Sequence, residues 1–389
     1  MGRIRRVFLR AGKSEKIRQQ RHPWLFSGAF TPESIAEAGE TVCVCDEHGN
    51  PVGYGHWDPN HPIRCRIFSW NSEKITPNER FWRQKIAEAI TLRNQLGITS
   101  DTNAYRLINS EGDHLPGIVI DIYRDIAVIQ LRTPGAMRLK PTLVRSLTEH
   151  FPELKGIYLR RESLSESEWI WGEAFPEVII QENGLSFWVS IQKGQKTGFF
   201  LDQRDNRQLL RKYAKGKKVA NFFAYTGGFT VYAGAAGASA LLSVEIMEEP
   251  AGVIERNLAL NGLSSSHHTL WVMDAFEALQ KLPPNEWDII ILDPPAFTHH
   301  QDKLPQAVRA YREINRRALQ LLPFGGLLFT FSCSAHVTPS LFRDILYQSA
   351  MEASRDIQLL HILHAPPDHP INIYHPQGEY LKGFVVRVL

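Results

Sequence analysis

Ile289-Ile290-Ile291-Leu292-Asp293-Pro294-Pro295-Ala296-Phe297 joins four apolar β-formers to an acid and two prolines. A short apolar run closed by turn residues reads as a strand buried in a sheet. Two prolines fix the backbone and remove two N–H donors, so the strand must stop there. Asp293 is then presented rigidly at the strand tip. An ordinary proline-stiffened loop would look similar, and the flanking sequence decides between the two.

On both sides, strand-like and helix-like runs alternate. Strands are expected at Val219–Phe223, Ala240–Ile246, Thr269–Met273, Leu327–Phe331, Ile357–Leu363 and Phe384–Leu389. Helices are expected at Gly228–Gly237, Glu248–Asn261, Ala275–Leu282, Pro305–Leu322 and Pro339–Ser354. Such alternation predicts an α/β, doubly wound and mostly parallel sheet. Between the last two strands, Ala365 to Gly383 is rich in Pro and Gly and holds no obvious helix, so those two can pair antiparallel.

Ligands of an open α/β sheet bind beyond the carboxyl ends of its strands. The first of these strands runs into Ala224-Tyr225-Thr226-Gly227-Gly228-Phe229, a turn small enough for a ligand to approach the backbone. G-x-G-x-x-G is absent, which weakens a dinucleotide reading. The second strand ends in Val244-Glu245-Ile246, where an acid can hydrogen-bond ribose hydroxyls. The third ends in Asp274-Ala275-Phe276; Asp274 can accept from an adenine amino group, cap the Ala275 helix, or do both. The fifth ends in Thr330-Phe331-Ser332-Cys333-Ser334. Taken alone, Cys333 reads as core filler. At a strand tip beside the Asp293 strand, it can instead be a nucleophile.

The 389 residues exceed one ordinary core, and two or three domains are expected. Residues 1 to about 72 hold short strands broken by turns, such as Val42–Cys45 and Val52–Gly55 around Asp46–Asn50. Asn71 to Pro77 reads as a linker. Residues 78 to about 190 open with a helix capped by Asn78, its apolar spacing carried by Phe81, Ile86, Ile90 and Leu92 up to Gly97. Strands follow at Ile118–Ile122, Ile126–Leu131, Ile157–Leu159 and Phe187–Ile191, with a helix over Ala136–Glu149, giving an α+β module.

The net charge is only +3, but two basic runs stand out: Arg3 to Arg21, opposed by Glu15 alone, and Arg204 to Lys218. They suit a polyanion surface or a solvated face. Four cysteines, of which Cys43 and Cys45 would share one strand face, give neither a disulfide framework nor a zinc pattern. His267-His268 and His299-His300 read as solvent-facing, and no metal is expected. No apolar run is long enough for a membrane helix, and no signal-peptide core follows Met1, so a cytoplasmic location is expected.

The whole chain resembles the 23S ribosomal RNA cytosine-carbon-5 methyltransferases that carry an N-terminal PUA domain. The resemblance rests on His22-Pro23-Trp24-Leu25-Phe26-Ser27-Gly28, Gly53-Tyr54-Gly55, Arg106 to Asp113 with Leu115-Pro116-Gly117, and Tyr225-Thr226-Gly227-Gly228-Phe229. It rests also on Asp293-Pro294-Pro295, Ser332-Cys333-Ser334, Tyr380-Leu381-Lys382-Gly383-Phe384 and, most specifically, Gln195-Lys196-Thr197-Gly198-Phe199-Phe200-Leu201-Asp202-Gln203-Arg204 with Arg207. Tyr225 replaces the usual first glycine of its motif.

The resemblance implies a small β-barrel PUA domain (1–72), an α+β central domain (73–190) and a class I, Rossmann-like methyltransferase domain with a seven-stranded sheet (191–389). It implies S-adenosylmethionine as cofactor, bordered by Thr197, Phe200, Asp202, Arg204, Tyr225, Thr226, Gly227, Glu245, Asp274, Ala275, Phe276, Asp293 and Pro294. It further implies catalysis by Cys333 and Asp293 on naked or partly assembled 23S RNA, with a homodimer expected. Two other readings stay open: methylation of an exocyclic amine, since Asp293-Pro294-Pro295-Ala296-Phe297 resembles a D/N-P-P-aromatic motif displaced by one residue, and a non-catalytic ribosome-assembly RNA-binding protein.

Overall fold

The structure is a computed structural model describing residues 4–70, 77–98, 101–263, 265–298 and 300–389. Arg3, His299 and the expected linker up to Thr76 lie outside the described residues.

The N-terminal module contains β1 (Arg5–Phe8), α1 (Ser14–Gln20), β2 (Trp24–Phe26), β3 (Thr41–Cys45), β4 (Pro51–Trp57) and β5 (Ile63–Ser69). Its five strands form one sheet ordered β1-β3-β4-β5-β2. Val42 and Val44 alternate with Cys43 and Cys45, so the valines reach the core while the two sulfurs meet at 3.8 Å on one face.

α2 (Glu79–Gln95) begins as expected, with Phe81 N–H donating to Asn78 Oδ1 at 3.0 Å. Its buried stripe is Trp82, Ile86, Ala89, Ile90 and Arg93, rotated from the expected one, so Phe81 and Leu92 lie at its margin. Arg93 is tolerated there because its guanidinium donates to both oxygens of Asp113. Next come β6 (Ala104–Asn109), β7 (Ile118–Tyr123), β8 (Ile126–Leu131), α3 (Pro134–Arg138), α4 (Lys140–His150), β9 (Gly156–Leu159) and β10 (Glu168–Gly172), the strands ordered β10-β9-β8-β7-β6. One helix was expected over Ala136–Glu149; two form, because Pro141 lacks the N–H that a continuous helix would use but fits the first turn of α4.

The remaining elements are β11 (Glu177–Glu182), β12 (Leu185–Ser190), α5 (Arg204–Arg211), β13 (Lys218–Phe222), α6 (Gly228–Ala235), β14 (Ala240–Glu245), α7 (Glu248–Leu260), β15 (His268–Val272) and α8 (Ala275–Lys281). They continue with β16 (Ile289–Leu292), α9 (Leu304–Leu321), β17 (Leu327–Ser332), α10 (Pro339–Ala353), β18 (Ile357–His364) and β19 (Lys382–Val388). β11 and β12 make a hairpin. The large sheet is ordered β15-β14-β13-β16-β17-β19-β18. β13 to β17 pair in parallel, and β19 is antiparallel to both β17 and β18, so one strand of seven is reversed. Ile290, Leu292, Ile314, Leu319 and Phe342 are fully buried on one face of it.

The compact units cross the linear order. One comprises Met1–Val178, Val189–Phe199 and Pro367–Gly378; the other comprises Ile179–Trp188, Phe200–Pro366 and Glu379–Leu389. Among the described residues, no helix is long and apolar enough to cross a membrane.

Candidate active site at the carboxyl edge of the large sheet

The tips of β13, β14, β15, β16 and β17 come together along one edge, because parallel strands end on the same side. After β13 the chain turns sharply. Phe223 and Tyr225 hold φ of +57° and +49°, and Gly227 holds +79°. Non-glycine residues in the left-handed region store strain, and such strain gathers at ligand sites. A Cβ at Gly227 would stand 2.8 Å from Ile254 Cγ2, so glycine is required by both conformation and space.

Glu245, at the tip of β14, fixes this turn. Its Oε2 accepts from Tyr225 N–H at 2.8 Å and its Oε1 from Met247 N–H at 3.0 Å. Asn257 holds the turn from the other side by donating to Thr226 O at 2.9 Å. Thr226 Oγ1 is buried and has no hydrogen-bond partner among the described residues. A buried orphan hydroxyl costs about 1–3 kcal/mol, and a bound polar ligand would answer it.

At the tip of β15, Asp274 Oδ1 accepts from Phe276 N–H at 2.8 Å and Glu277 N–H at 3.2 Å, capping α8. Oδ2 is left without a hydrogen bond among the described residues. Ala275 is buried, and the Phe276 ring lies 6.2 Å from that of Phe297.

Asp293 is half-buried at the tip of β16, and Pro294 after it is buried. Cys333 follows β17, with its Sγ 3.7 Å from Pro294 O. Cys43, Cys45 and Cys65 are buried, whereas Cys333 is partly accessible. Burial pushes the Tyr311 phenol above its ordinary range, and negative charge at Cys333 and Asp293 pushes the same way. The three groups therefore share one electrostatic neighbourhood.

Phe200 stands edge-on to Tyr225, ring centroids 5.1 Å apart. Asp202 is buried and its Oδ2 accepts from Tyr380 O–H at 2.7 Å. Arg204 is buried and donates to Asp205 at 3.2 Å. Thr197 belongs to the other unit. Its hydroxyl donates to Asp121 Oδ2 at 2.5 Å and lies 2.8 Å from Tyr123 Oη, while Asp121 takes a bidentate pair from Arg106 at 2.7 and 2.9 Å. Sequence reasoning assigned no role to Asp121, Glu182, Tyr380 or Lys382, although a charged residue inside an apolar strand was a visible cue at Asp121.

A cleft built from strand tips, an orphan hydroxyl and a free carboxylate oxygen suits a nucleoside with polar edges. With the reversed strand in the sheet, it defines the class of S-adenosylmethionine-dependent methyltransferases. The family model described as S-adenosylmethionine-dependent methyltransferase matches residues 138–380, and one for a PUA-like domain matches residues 7–70. Ribosomal RNA large subunit methyltransferase I of Erwinia tasmaniensis is 38% identical over 396 residues, spanning 99% of this chain and 99% of its own. Its namesake in Shewanella denitrificans is 38% identical, covering 98% and 99%. A structure from Streptococcus mutans assigned to the S-adenosylmethionine-dependent methyltransferases is 25% identical, with TM-score 0.85, over 99% of this chain and 100% of that one. Another methyltransferase structure, complexed with SAH, is 26% identical with TM-score 0.86 over the same shares. The chain belongs to this S-adenosylmethionine-dependent methyltransferase family.

Proposed function

We propose that the protein methylates carbon-5 of a cytosine in 23S ribosomal RNA through a covalent adduct on Cys333. The observation that carries this is the place of Cys333: the most accessible of the four cysteines, at a strand tip, against the Asp293-Pro294 turn. Carbon-5 of cytosine is a weak nucleophile. Addition of the Cys333 thiolate to carbon-6 forms an S–C bond and moves the double-bond electron pair to carbon-5. Asp293 hydrogen-bonds the ring nitrogen and, by lending it a proton, offsets the charge that builds there. The cofactor would supply a methyl group from its sulfonium: carbon-5 would take the methyl, and the sulfur would keep the electron pair of the broken bond as a neutral thioether. Loss of the carbon-5 proton re-forms the double bond, and Cys333 leaves as thiolate. The target base must leave its stack to reach a sheet-edge cleft.

Thr226, Gly227 and Tyr225 would line the cofactor's chain, Glu245 its ribose and Asp274 with Ala275 and Phe276 its adenine. Phe200, Asp202, Arg204 and Pro294 would border it, as the family resemblance also implies for Thr197. Asp274→Asn tests the adenine assignment. Asn caps helices as well as Asp, so the melting temperature should hold. The free oxygen would become an NH2 facing the adenine amino group, and S-adenosylmethionine should bind about tenfold more weakly by calorimetry, roughly 1.4 kcal/mol. An unchanged Kd would remove Asp274 from the adenine edge.

The PUA module (1–72), the central module (73–190) and the methyltransferase module (191–389) act together on RNA in the cytoplasm. Exposed Leu359, Leu360 and Ile362 on edge strand β18 support a homodimer. The product test is direct. Purified protein, S-adenosylmethionine and 23S RNA lacking the mark should yield 5-methylcytidine on nucleoside mass spectrometry. An N-methylated base in its place would overturn the proposal.

A further inference from the structure

Lys382 opens β19 and is 4% exposed. It pairs across the antiparallel ladder with Ser332, the residue before Cys333. Its ammonium donates to Ser334 O and to Val337 O, each at 2.6 Å, and both carbonyls belong to the turn that carries the chain away from Cys333. Burying an ammonium costs several kcal/mol unless it is answered by hydrogen bonds and opposite charge. Two carbonyls satisfy two of its three donors but carry only partial charge. No carboxylate forms a salt bridge with it among the described residues, and Glu379, the acid nearest in sequence, is exposed.

We infer that Lys382 is the counter-charge of Cys333: its buried ammonium holds the thiol as thiolate and ties down the turn behind it. This rests on Cys333 being the nucleophile, and it makes Lys382 a positioning residue. Burial pulls the Lys382 ammonium down to about 8, and negative charge at Cys333, then at Glu379, works against that fall. Such an interaction is mutual: what favours the ammonium favours the thiolate equally. Titratable groups beside the pair include Glu379 before β19, Tyr311 on α9 and Asp293 after β16, with His336 three residues beyond Cys333. Tyr311 and Asp293 are acids whose negative forms would oppose a thiolate, whereas the Lys382 ammonium favours it.

Iodoacetamide alkylation of Cys333, followed by peptide mass spectrometry on the full chain across pH, tests the inference without RNA or cofactor. The buried cysteines and the Cys333→Ala variant give the background. In the wild type, the alkylation midpoint should lie below the ordinary thiol value of about 8.5; a midpoint at or above it overturns the inference, whatever the variants do. Lys382→Gln keeps an N–H donor for the carbonyls and removes the charge. It should alkylate about tenfold more slowly at pH 7, with its midpoint and its turnover profile shifted to alkaline pH. Lys382→Arg should keep the low midpoint. A Gln variant with the wild-type midpoint would leave Lys382 a mere tie for the turn. Failure of the nucleophile assignment is read separately, by turnover in Cys333→Ala.

Discussion

Cys333→Ala should lower methyl transfer by about a thousandfold or more while leaving S-adenosylmethionine binding and the melting temperature close to wild type. Loss of a covalent nucleophile removes a whole step from the pathway, and such losses run from thousandfold upward. Structure should be spared. Cys333 is only partly buried, and its approach to Pro294 O is a long 3.7 Å. Removing one sulfur there costs on the order of 1 kcal/mol or less. The strand-tip groups that would hold the cofactor (Glu245, Thr226 and Asp274) do not depend on that sulfur. Single-turnover methylation of RNA and calorimetry on the same sample separate the two effects. Near-normal transfer would sink the carbon-5 account and favour an exocyclic amine, whose lone pair attacks unaided. Absent cofactor binding in the wild type would revive the non-catalytic reading.

The strand tips were legible because each is a local event: an apolar run that meets an acid, a glycine pair or a proline pair. Asp293, Asp274 and Glu245 could be placed from their neighbours alone. Thr197 could not. It lies in the run most typical of the family, yet its hydroxyl is held by Asp121 and Tyr123, more than seventy residues away in sequence. The segment Pro367–Gly378 reads as a loop between two strands, yet it packs with the N-terminal unit: Asp368 accepts from Arg106 N–H at 2.9 Å. No periodicity announces such pairings, since they join polar groups distant in sequence. β11 escaped notice for a related reason, because Glu182 ends that strand as a buried acid where the pattern calls for a surface one.

Glu182 carries the other large expected effect. It is fully buried, and so is Arg207 on α5; Arg207 donates two bonds of 2.7 Å to its carboxylate. Tyr232 O–H lies 3.0 Å from the same carboxylate. Burial works to lower the Arg207 value, but Glu182, with Tyr232 and Asp202 behind it, outweighs burial and holds Arg207 above its ordinary value. Glu182→Ala would leave a buried cation without its partner, a loss of about 3–5 kcal/mol. The second unit should then melt on the order of ten degrees lower by calorimetry. The damage should reach the cofactor cleft. A Cβ at Gly228 would stand 3.1 Å from Arg207 Cδ, so the guanidinium stem packs under the Tyr225–Gly228 turn, and a displaced Arg207 loosens it. Cofactor binding should therefore weaken together with stability. Replacing both partners by apolar residues of similar volume, Glu182→Leu with Arg207→Met, removes the stranded charge and should recover most of the melting temperature. A single Glu182→Ala variant that melts within about 1 kcal/mol of the wild type would mean that water reaches Arg207, and that the hairpin of β11 and β12 does not seal the base of the cofactor turn.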